Sequence, residues 1–436
     1  MLVLACLPAE PKRAQTLLEM LAHSLQHVRE VKVLIELSHT ELTCGGDNDV
    51  NIDALLQHSF QLSMLNVVLI CSSFVKTLLY YGYEGYPKFK LQVRQFQPYK
   101  ETTSIYPDKL LNMHHHPIYS MPDQAEPYTI VYEHQGKVRV IGMLWYILEE
   151  FAHYHNATLR WLERPIPGNP PNQVLLGDLI RNGSLDITAS ASFLDWGSYY
   201  YMTYPMAVSS WCIMTPLERH VSARDAIIKA FKLESYIMLL GFYALYVGLP
   251  PIMMCIRRQR SWPLDNVASS FYRLIALCLA IQLLAFYEAR VQTFLIHPLR
   301  QNHITTFNDL ESSQVRIWSY RYEFYRYDFE LRIKFGTVFR LTDLGSELVK
   351  MRNALNTSYA YTITSNKWPM CDGLQRGFRR PLFHYSNDVC IQSLCLFAMM
   401  IRNNSVFYDR FNHFLTKLRQ AGFISHWIKN SFFDMV

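Results

Sequence analysis

Residues 235–256 read SYIMLLGFYALYVGLPPIMMCI, an apolar run without a charged side chain. About 20 such residues are enough to cross the hydrocarbon core of a bilayer. The alternative is a buried helix of a soluble domain, but Pro250-Pro251 would break such a helix. The basic sequence Arg257-Arg258-Gln259-Arg260 follows at once, and an abrupt basic stop is typical of a membrane helix. The run therefore predicts a membrane crossing that divides the chain into two flanks.

A second apolar run, LIALCLAIQLLAFY at residues 274–287, lies a short distance downstream. It reaches membrane length only if it continues through Glu288 and Arg290 to Ile296. The connection between the two runs is basic, and cytoplasmic connections carry an excess of Lys and Arg. We therefore expect two crossings, with the connection in the cytoplasm and both flanks outside the cell.

The composition excludes several classes of protein. The 436 residues are 50% hydrophobic and 14% aromatic, which is enough to fill two or three cores and excludes a disordered chain. The formal net charge is only +6, and apart from residues 257–260 the Lys and Arg residues are scattered, so no nucleic-acid partner is expected. The nine cysteines show neither a repeated CxxC nor His partners at zinc spacing. No metal and no other cofactor is predicted.

Both flanks alternate strand-like and helix-like segments. The first flank runs from YTIVYEH at 128–134 through the helical pattern GMLWYILEEFAHYH to DITASAS at 186–192. The second flank ends in an amphipathic helix whose apolar face contains Phe407, Phe411, Phe414, Leu415 and Leu418. This pattern predicts α/β structure on both sides of a membrane block. No Ser/His/Asp, Cys/His or paired-carboxylate spacing stands out, so an enzyme is not expected.

Several stretches resemble, in order and spacing, the motifs of the ionotropic glutamate receptors. FYEARVQTFL at 286–295 is similar to the family's gate motif SYTANLAAFL, and HITTFNDL at 303–310 resembles the signature PIxSxxDL that follows it. YAYTITS at 359–365 is similar to the YAYLLES strand of the second lobe. Further matches lie at residues 142–148, at 182–187 with Pro205, and in the closing helix 415–427. The resemblance covers about residues 111–430.

The resemblance implies a membrane protein with an α/β two-lobed, periplasmic-binding-protein-like ligand domain that is split by transmembrane helices. The expected segments are an N-terminal portion of unclear fold (1–122), a first ligand-binding segment (123–232), a transmembrane helix (233–256), a short cytoplasmic connection (257–266), a gate-motif transmembrane helix (267–297), a second ligand-binding segment (298–430) and a tail (431–436).

Three family features are missing from this layout. The connection 257–266 leaves no room for the family's pore loop, and the tail 431–436 ends where its last membrane helix should begin. The start MLVLACL has no basic signal-peptide region, so we expect an incomplete N-terminus. Either the sequence is truncated or the subunit does not conduct by itself.

The departures from the family pattern concern the ligand. Family members that bind glutamate hold its carboxylate with an Arg between the positions that match Asp186 and Pro205, and this chain has no Arg or Lys there. Thr364 stands where the family has the acidic residue that receives the ammonium group of the ligand. Without these two charged anchors glutamate affinity should largely disappear, which is the pattern of the divergent, insect-type chemosensory ionotropic receptors.

The same alignment supplies candidate site residues. The ligand-contact candidates are Ser190, Ser192 and Trp196 on the first lobe and Tyr325, Arg326 and Thr364 on the second. The gate motif places Tyr287, Glu288, Ala289, Arg290 and Phe294 in the second membrane helix. The charged residues at 288 and 290 either line the vestibule or reach water by snorkelling at the membrane interface.

Two kinds of modification are expected in the flanks. Glycosylation acceptors of the form Asn-x-Ser/Thr occur at Asn156, Asn182, Asn356 and Asn403, all in segments that the topology places outside. The resemblance implies a second-lobe disulfide of Cys371 with Cys390 or Cys395, and a free thiol stays an equal alternative.

The sequence thus predicts a ligand-gated chemosensory receptor subunit in the plasma membrane. It would be a component of a cation channel, with other ionotropic-receptor subunits as partners and a small-molecule ligand other than glutamate. Two alternatives stay open. One is a non-conducting, membrane-tethered binding subunit or a truncated gene product, and the other is a glutamate-gated channel.

Overall fold

The computed structural model describes residues 1–8, 10–38, 52–97, 104–194, 202–217, 265–296 and 304–433, together with six helical residues between 236 and 244. The chain divides into two compact units. Met1–Met214 and Gln314–Val436 form the first unit, and Thr215–Ser313 forms the second. Both flanks of the apolar block therefore contribute to the same unit.

The first unit begins with an α/β module at residues 1–97, called here the N-terminal module. Its sheet has the order β1 (Leu2–Pro8), β2 (Lys32–Ser38), β3 (Asn66–Cys71), β4 (Leu79–Glu84) and β5 (Lys90–Gln95), with the first three strands parallel. Its helices are α1 (Pro11–Leu25), α2 (Ile52–Gln61) and α3 (Phe74–Thr77). Side chains at helical spacing on α1 and at alternate positions on β2 share one core. The module thus has a sheet and a core of its own.

The first lobe comprises residues 104–194, completed by the end of the chain. Strands β6 (Pro117–Ser120) and β9 (Thr158–Trp161) pair in parallel, and β7 (Ile130–His134) forms a hairpin with β8 (Lys137–Ile141). Helix α4 (Met143–Tyr154) follows the hairpin, and helix α5 (Gln173–Arg181) follows β9. Strand β10 (Ser192–Phe193) then leads from this segment into the sheet of the second lobe. Its core cluster includes Leu176 and Ile180 of α5 together with Met400. The lobe therefore needs residues from both flanks.

The second unit contains a long helix, α6 (Asp265–Ile296), which carries the second apolar run and the gate motif. Every side chain from Leu277 to Ala289 is exposed. A short helix, α7 (Phe307–Ser312), begins with a capping box between Thr306 and Asp309. That capping box lies in the stretch that resembles PIxSxxDL.

The two predicted crossings are not settled by these helices. Among the described residues, no helix has both the length and the apolar character that a membrane crossing requires. Most of the first predicted crossing, 233–256, and the basic residues 257–260 lie outside the described residues. Both crossings stay predictions.

The second lobe is built on a mixed sheet of six strands. Its order is β10, β15 (Phe383–Ala398), β11 (Ala207–Pro216), β14 (Ala360–Thr364), β12 (Ile317–Tyr320) and β13 (Phe339–Thr342). Strand β11 precedes the apolar block and pairs antiparallel with β14, which follows it. Helices α8 (Arg321–Phe324), α9 (Phe329–Phe335), α10 (Gly345–Asn353) and α11 (Trp368–Gln375) belong to this lobe. Its core cluster, which includes Met214, Tyr361 and Cys371, is separate from that of the first lobe.

The chain returns to the first lobe in helices α12 (Tyr408–Gln420) and α13 (Phe423–Phe433). The apolar face predicted for α12 is confirmed: Phe411, Leu415 and Leu418 are buried. The ring of Phe151 on α4 lies 5.0 Å from that of Phe411 and 5.5 Å from that of Phe414. The closing helix therefore packs on α4 through aromatic edges.

Candidate ligand-binding cleft

A cleft lies between the first and second lobes. It consists of two adjoining cavities of about 800 Å³ and 750 Å³ that share several wall residues, among them Gln173, Phe193, Trp211, Glu323 and Arg352. Cavities of this size are typical of small-molecule sites. We call the combined space the interlobe cleft.

Aromatic rings form an apolar part of the cleft where the two lobes meet. Phe193 of β10 stacks on Trp211 of β11 with ring centroids 4.9 Å apart, and it lies 4.7 Å from the ring of Phe397 on β15. The ring of Tyr128 lies 5.9 Å from that of Phe397. All four residues line the cleft, so a ligand with an apolar or aromatic body would find a matching surface there.

On the first lobe, Asp123 anchors a buried polar network. Its carboxylate accepts hydrogen bonds from the backbone N–H of Ala125 at 3.0 Å, from the hydroxyl of Thr129 and from Oγ of Ser190 at 2.8 Å. Burial raises the pKa of the Asp123 carboxyl, and these hydrogen bonds oppose that rise. The network fixes the wall of the cleft between residues 123 and 129.

Two of the three predicted first-lobe contacts, Ser190 and Ser192, lie behind the wall of the cleft. Ser190 is buried and donates its hydroxyl to Asp123, and the Oγ of Ser192 donates to Oε1 of Gln173 at 3.4 Å. Neither serine lines the cleft, whereas Asp123 and Gln173 do. The two serines therefore position the residues that line the cleft. Trp196 lies outside the described residues.

On the second lobe, two of the three predicted contacts line the cleft. Arg326, just beyond α8, and Thr364, at the end of β14, both contribute to its wall. Tyr325 is 59% exposed and does not line it. Arg326 and Thr364 therefore lie where a ligand in the cleft would meet them and Tyr325 does not, and all three ligand contacts stay predictions.

Arg352 of α10 is a wall residue of both cavities that the sequence did not single out. Its Nη1 donates to the carbonyl of Thr362 at 3.1 Å, and its Nε is buried without a hydrogen-bond partner among the described residues. One sequence signal existed: Arg352 follows the buried Leu348 by four residues and so shares its helix face. A charged side chain on the buried face of a helix lies either in the protein interior or beside a cavity, and Arg352 lies beside the cleft.

Lys367 and Glu126 form an ion pair across the cleft, with Nζ and Oε2 3.2 Å apart. Burial, and after it the charge of Arg352, lowers the pKa of Lys367 to about 8, against the opposing effect of Glu126. Glu126 also accepts from Nδ2 of Asn353 at 3.1 Å. Nearby, Nδ2 of Asn366 donates to the hydroxyl of Tyr128 at 2.9 Å. We call these contacts the interlobe latch.

Glu323 of α8 completes the charged wall and lines both cavities. Burial raises the pKa of its carboxyl, and Arg352 and Arg326 oppose that rise. The second-lobe wall therefore carries two guanidinium groups near one carboxyl that is harder to ionise than usual. No Arg or Lys of the first lobe lines the cleft within the described part of the chain.

The disulfide prediction is wrong in its pairing. Cys390 of β15 is bonded to Cys212 of the neighbouring strand β11, and Cys371 is buried with a free thiol. Cys371 belongs to the core cluster of the second lobe, which explains its burial. The partner was missed because Cys212 lies before the apolar block and Cys390 far beyond it, with a sequence separation of 178.

The glycosylation acceptors differ in exposure. Asn182 and Asn403 are exposed, whereas Asn156 and Asn356 are half-buried. Nδ2 of Asn156 donates to Oδ1 of Asn112 at 2.8 Å. Since sugars attach to exposed Asn side chains, Asn182 and Asn403 are the better placed of the four.

The gate-motif residues all lie on α6. Tyr287, Glu288 and Ala289 are exposed, and the side chains of Arg290 and Phe294 lie outside the described residues. The two interpretations of the charges at 288 and 290 therefore both stay open.

Comparison with known proteins adds little to this picture. No model of a known protein family matches the chain, and no curated protein matches it. Among solved structures, the chain is similar to an amino acid ABC transporter substrate-binding protein from Streptococcus pneumoniae, bound to L-arginine, at 9% sequence identity. The match covers 72% of this chain and 93% of that one, with a TM-score of 0.40. A likeness this weak assigns neither a fold nor a ligand to the chain.

Proposed function

We propose that the chain is the ligand-binding subunit of a ligand-gated chemosensory ionotropic receptor. In this proposal the two lobes lie outside the plasma membrane and close on a small ligand, while residues 233–297 cross the membrane twice and associate with other ionotropic-receptor subunits. The chain has no enzymatic role in this scheme. The observation that carries the proposal is the sheet of the second lobe, which joins strand β11 before the apolar block to strand β14 after it.

The connectivity supports a mechanical link between the cleft and the block. Trp211 lines the cleft, and its strand β11 ends at Pro216, just before the apolar block. After the block, the chain enters the same lobe through β12 (Ile317–Tyr320). Both covalent connections therefore run from the second lobe, so a movement of that lobe toward the first pulls on both ends of the block. Such closure does work only if the ligand binds the closed state more tightly than the open one.

Helix α6 supports an apolar environment for the block. All its side chains from Leu277 to Ala289 are exposed, and this stretch contains Leu277, Leu279, Ile281, Leu283, Leu284 and Phe286. An exposed surface this rich in apolar side chains favours contact with lipid or with other protein. A membrane with partner subunits supplies both.

Charges in the cleft favour a ligand other than glutamate. A glutamate-binding family member needs an Arg on the first lobe, whereas the described first-lobe wall presents Asp123 and Glu126. Thr364, which replaces the acidic anchor, lines the second-lobe side. If an α-amino acid bound in the orientation that the family uses, its carboxylate would lie next to the carboxyl groups of the first lobe, which repel it. The glutamate-gated alternative is therefore disfavoured.

Membrane topology tests the proposal. The full chain is expressed in insect cells, extracted with alkaline carbonate, and compared with Asn182→Gln and Asn403→Gln by mobility after glycosidase treatment. We expect the chain in the membrane pellet and a lost glycan in both variants, because the two flanks share a side. Release into the soluble fraction, or modification of one flank alone, would contradict the receptor proposal. The exposed Asn169, which is not followed by Ser or Thr at the required position, supplies the control Asn169→Gln.

A further inference from the structure

We propose that the interlobe cleft selects small organic anions with an apolar or aromatic body, and that Arg352, Lys367 and Thr364 form the anion subsite. This inference deepens the proposed receptor function by naming the class of ligand. The three residues line one cavity and come from three neighbouring elements of the second lobe: α10, the start of α11 and the end of β14.

The balance of charge at the subsite is the first reason. Arg352 and Lys367 line the same cavity, and burial together with the charge of Arg352 lowers the pKa of the lysine. Glu126 is the only carboxylate within salt-bridge distance of either cation in the described part of the chain. Lys367 is thus paired with Glu126, whereas the carboxyl near Arg352 is that of Glu323, which burial makes harder to ionise. A ligand anion would relieve the repulsion between the two cations.

The hydrogen-bonding capacity of Arg352 is the second reason. A guanidinium has five N–H donors in a planar fork, which suits a carboxylate. In this chain the described partner of Arg352 is one backbone carbonyl, that of Thr362, and its buried Nε has none among the described residues. The buried Nε is out of a ligand's reach, so a ligand would meet the terminal N–H groups of the guanidinium, and Thr364 lines the same cavity.

Every acidic residue that lines the cleft is either offset by a cation or hard to ionise. Glu347 and Lys350 line the same cavity as the subsite, and both are exposed, so their opposite charges offset each other in solvent. Asp343 pairs with Arg321 at 2.6 Å, and Glu126 pairs with Lys367. Asp123 is occupied by donors from its own lobe, and burial makes both it and Glu323 harder to ionise. A cationic ligand would have to compete with these contacts and would approach Arg352 and Lys367 with like charge. An amine is therefore the disfavoured class.

The aromatic rings define the rest of the ligand. Phe193, Trp211 and Phe397 line the same cavity as the anion subsite. Trp211 lies directly opposite Thr364 across β11 and β14. A ligand whose anionic group meets Arg352 would therefore place its body against these rings, which favours a carboxylate with an aromatic or alkyl body over a small inorganic anion.

Three probes with the same body and different charge test the inference. Phenylacetate, phenethylamine and 2-phenylethanol are titrated into the purified full chain in detergent, with binding followed by calorimetry. We expect phenylacetate to bind about 10- to 100-fold more tightly than the alcohol, the range that charge-assisted hydrogen bonds supply, and the amine to bind most weakly. Tighter binding of the amine, or no preference for the carboxylate at millimolar concentration, overturns the proposal.

Variants locate the preference. Arg352→Gln should lower phenylacetate affinity at least about 10-fold and leave the affinity for the alcohol within about 2-fold, which also shows that the variant is folded. Arg352→Lys should retain part of the preference. Arg376 follows α11 directly, is exposed and pairs with Asp372, so Arg376→Gln is the matched control and should change neither affinity. An unchanged carboxylate-to-alcohol ratio in Arg352→Gln contradicts the subsite. Because these are binding measurements, their outcome is independent of whether the chain reaches a membrane or gates a current.

Discussion

Trp211 and Thr364 lie directly opposite each other on the antiparallel strands β11 and β14, although the whole apolar block separates them in the sequence. Both residues line the interlobe cleft. The interlobe cleft is therefore built on the strand that leads into the block and on a strand that follows it. This pairing explains why the two α/β flanks act as one domain.

The interlobe latch should respond unequally to loss of its two charges. Glu126→Gln leaves the buried ammonium of Lys367 beside Arg352 without its carboxylate, at an expected cost of about 2–4 kcal/mol in the free energy of unfolding. Lys367→Met removes the buried charge itself and should cost less than about half of that. Chemical denaturation of the two variants makes the comparison. Asp372→Asn, in an exposed ion pair with Arg376, is the control and should cost less than about 0.5 kcal/mol. Equal losses from the first two variants would argue against a buried charge at residue 367.

Lys367 should also leave its mark on the pH dependence of stability. Its pKa is lowered from 10.5 to about 8 in the folded chain. Between these two pKa values the unfolded chain binds more protons than the folded chain, so the free energy of unfolding rises with pH. The destabilisation caused by burying the charged lysine is fully present below the folded pKa and decreases as pH rises above it. The stability difference between the unsubstituted chain and Lys367→Met should therefore shift in favour of lysine by about 2 kcal/mol from about pH 7.5 to about pH 9.5. A flat or falling difference would show that the lysine is not desolvated.

The two serines behind the first-lobe wall should differ in their effect. Ser190 makes a 2.8 Å hydrogen bond to the buried carboxylate of Asp123, whereas Ser192 makes a long one of 3.4 Å to Gln173. Ser190→Ala should lower the free energy of unfolding by about 1–2 kcal/mol, because a buried acceptor loses a donor, and Ser192→Ala by less than about 0.5 kcal/mol. Denaturation curves measured side by side decide the order. The reverse order would place Asp123 outside the buried network.

Local patterns predicted much of the architecture. The face of α12 was readable because a helix repeats every 3.6 residues, and Phe411, Leu415 and Leu418 are indeed buried. Arg326 and Thr364, which the ordered motifs predict as ligand contacts, line the cleft, and their contact with a ligand stays a prediction. In each case the information lies within one short stretch of sequence.

The parts that sequence could not predict depend on pairs of distant residues. The sequence DITASAS at 186–192 alternates polar and apolar residues, but in the structure residues 187–192 are all buried, so this alternation does not tell which side chains face the cleft. The pairing of Lys367 with Glu126 joins residues on different lobes. No local pattern encodes such a contact, because it exists only after both flanks have folded together.

The disulfide between Cys212 and Cys390 is a prediction that peptide mapping can check. Proteolysis of the full chain without reduction should release a linked pair of peptides containing these two residues, and Cys371 should react with an alkylating reagent only after unfolding. Cys212→Ser should lower the free energy of unfolding by about 2–5 kcal/mol. Detection of a Cys371–Cys390 linkage would restore the pairing expected from the family and contradict the structure.

The central claim is that ligand binding in the interlobe cleft opens a cation pathway, and ligand-evoked current measures this directly. The full chain is expressed in oocytes with and without co-expressed ionotropic-receptor subunits and is challenged with phenylacetate, phenethylamine, 2-phenylethanol and glutamate. We predict an inward cation current to phenylacetate only with co-expression, no response to glutamate, and at least about a 10-fold weaker response in Trp211→Ala at equal surface expression. If the chain reaches the surface with its partners and none of the probes that it binds changes the current, the claim is contradicted.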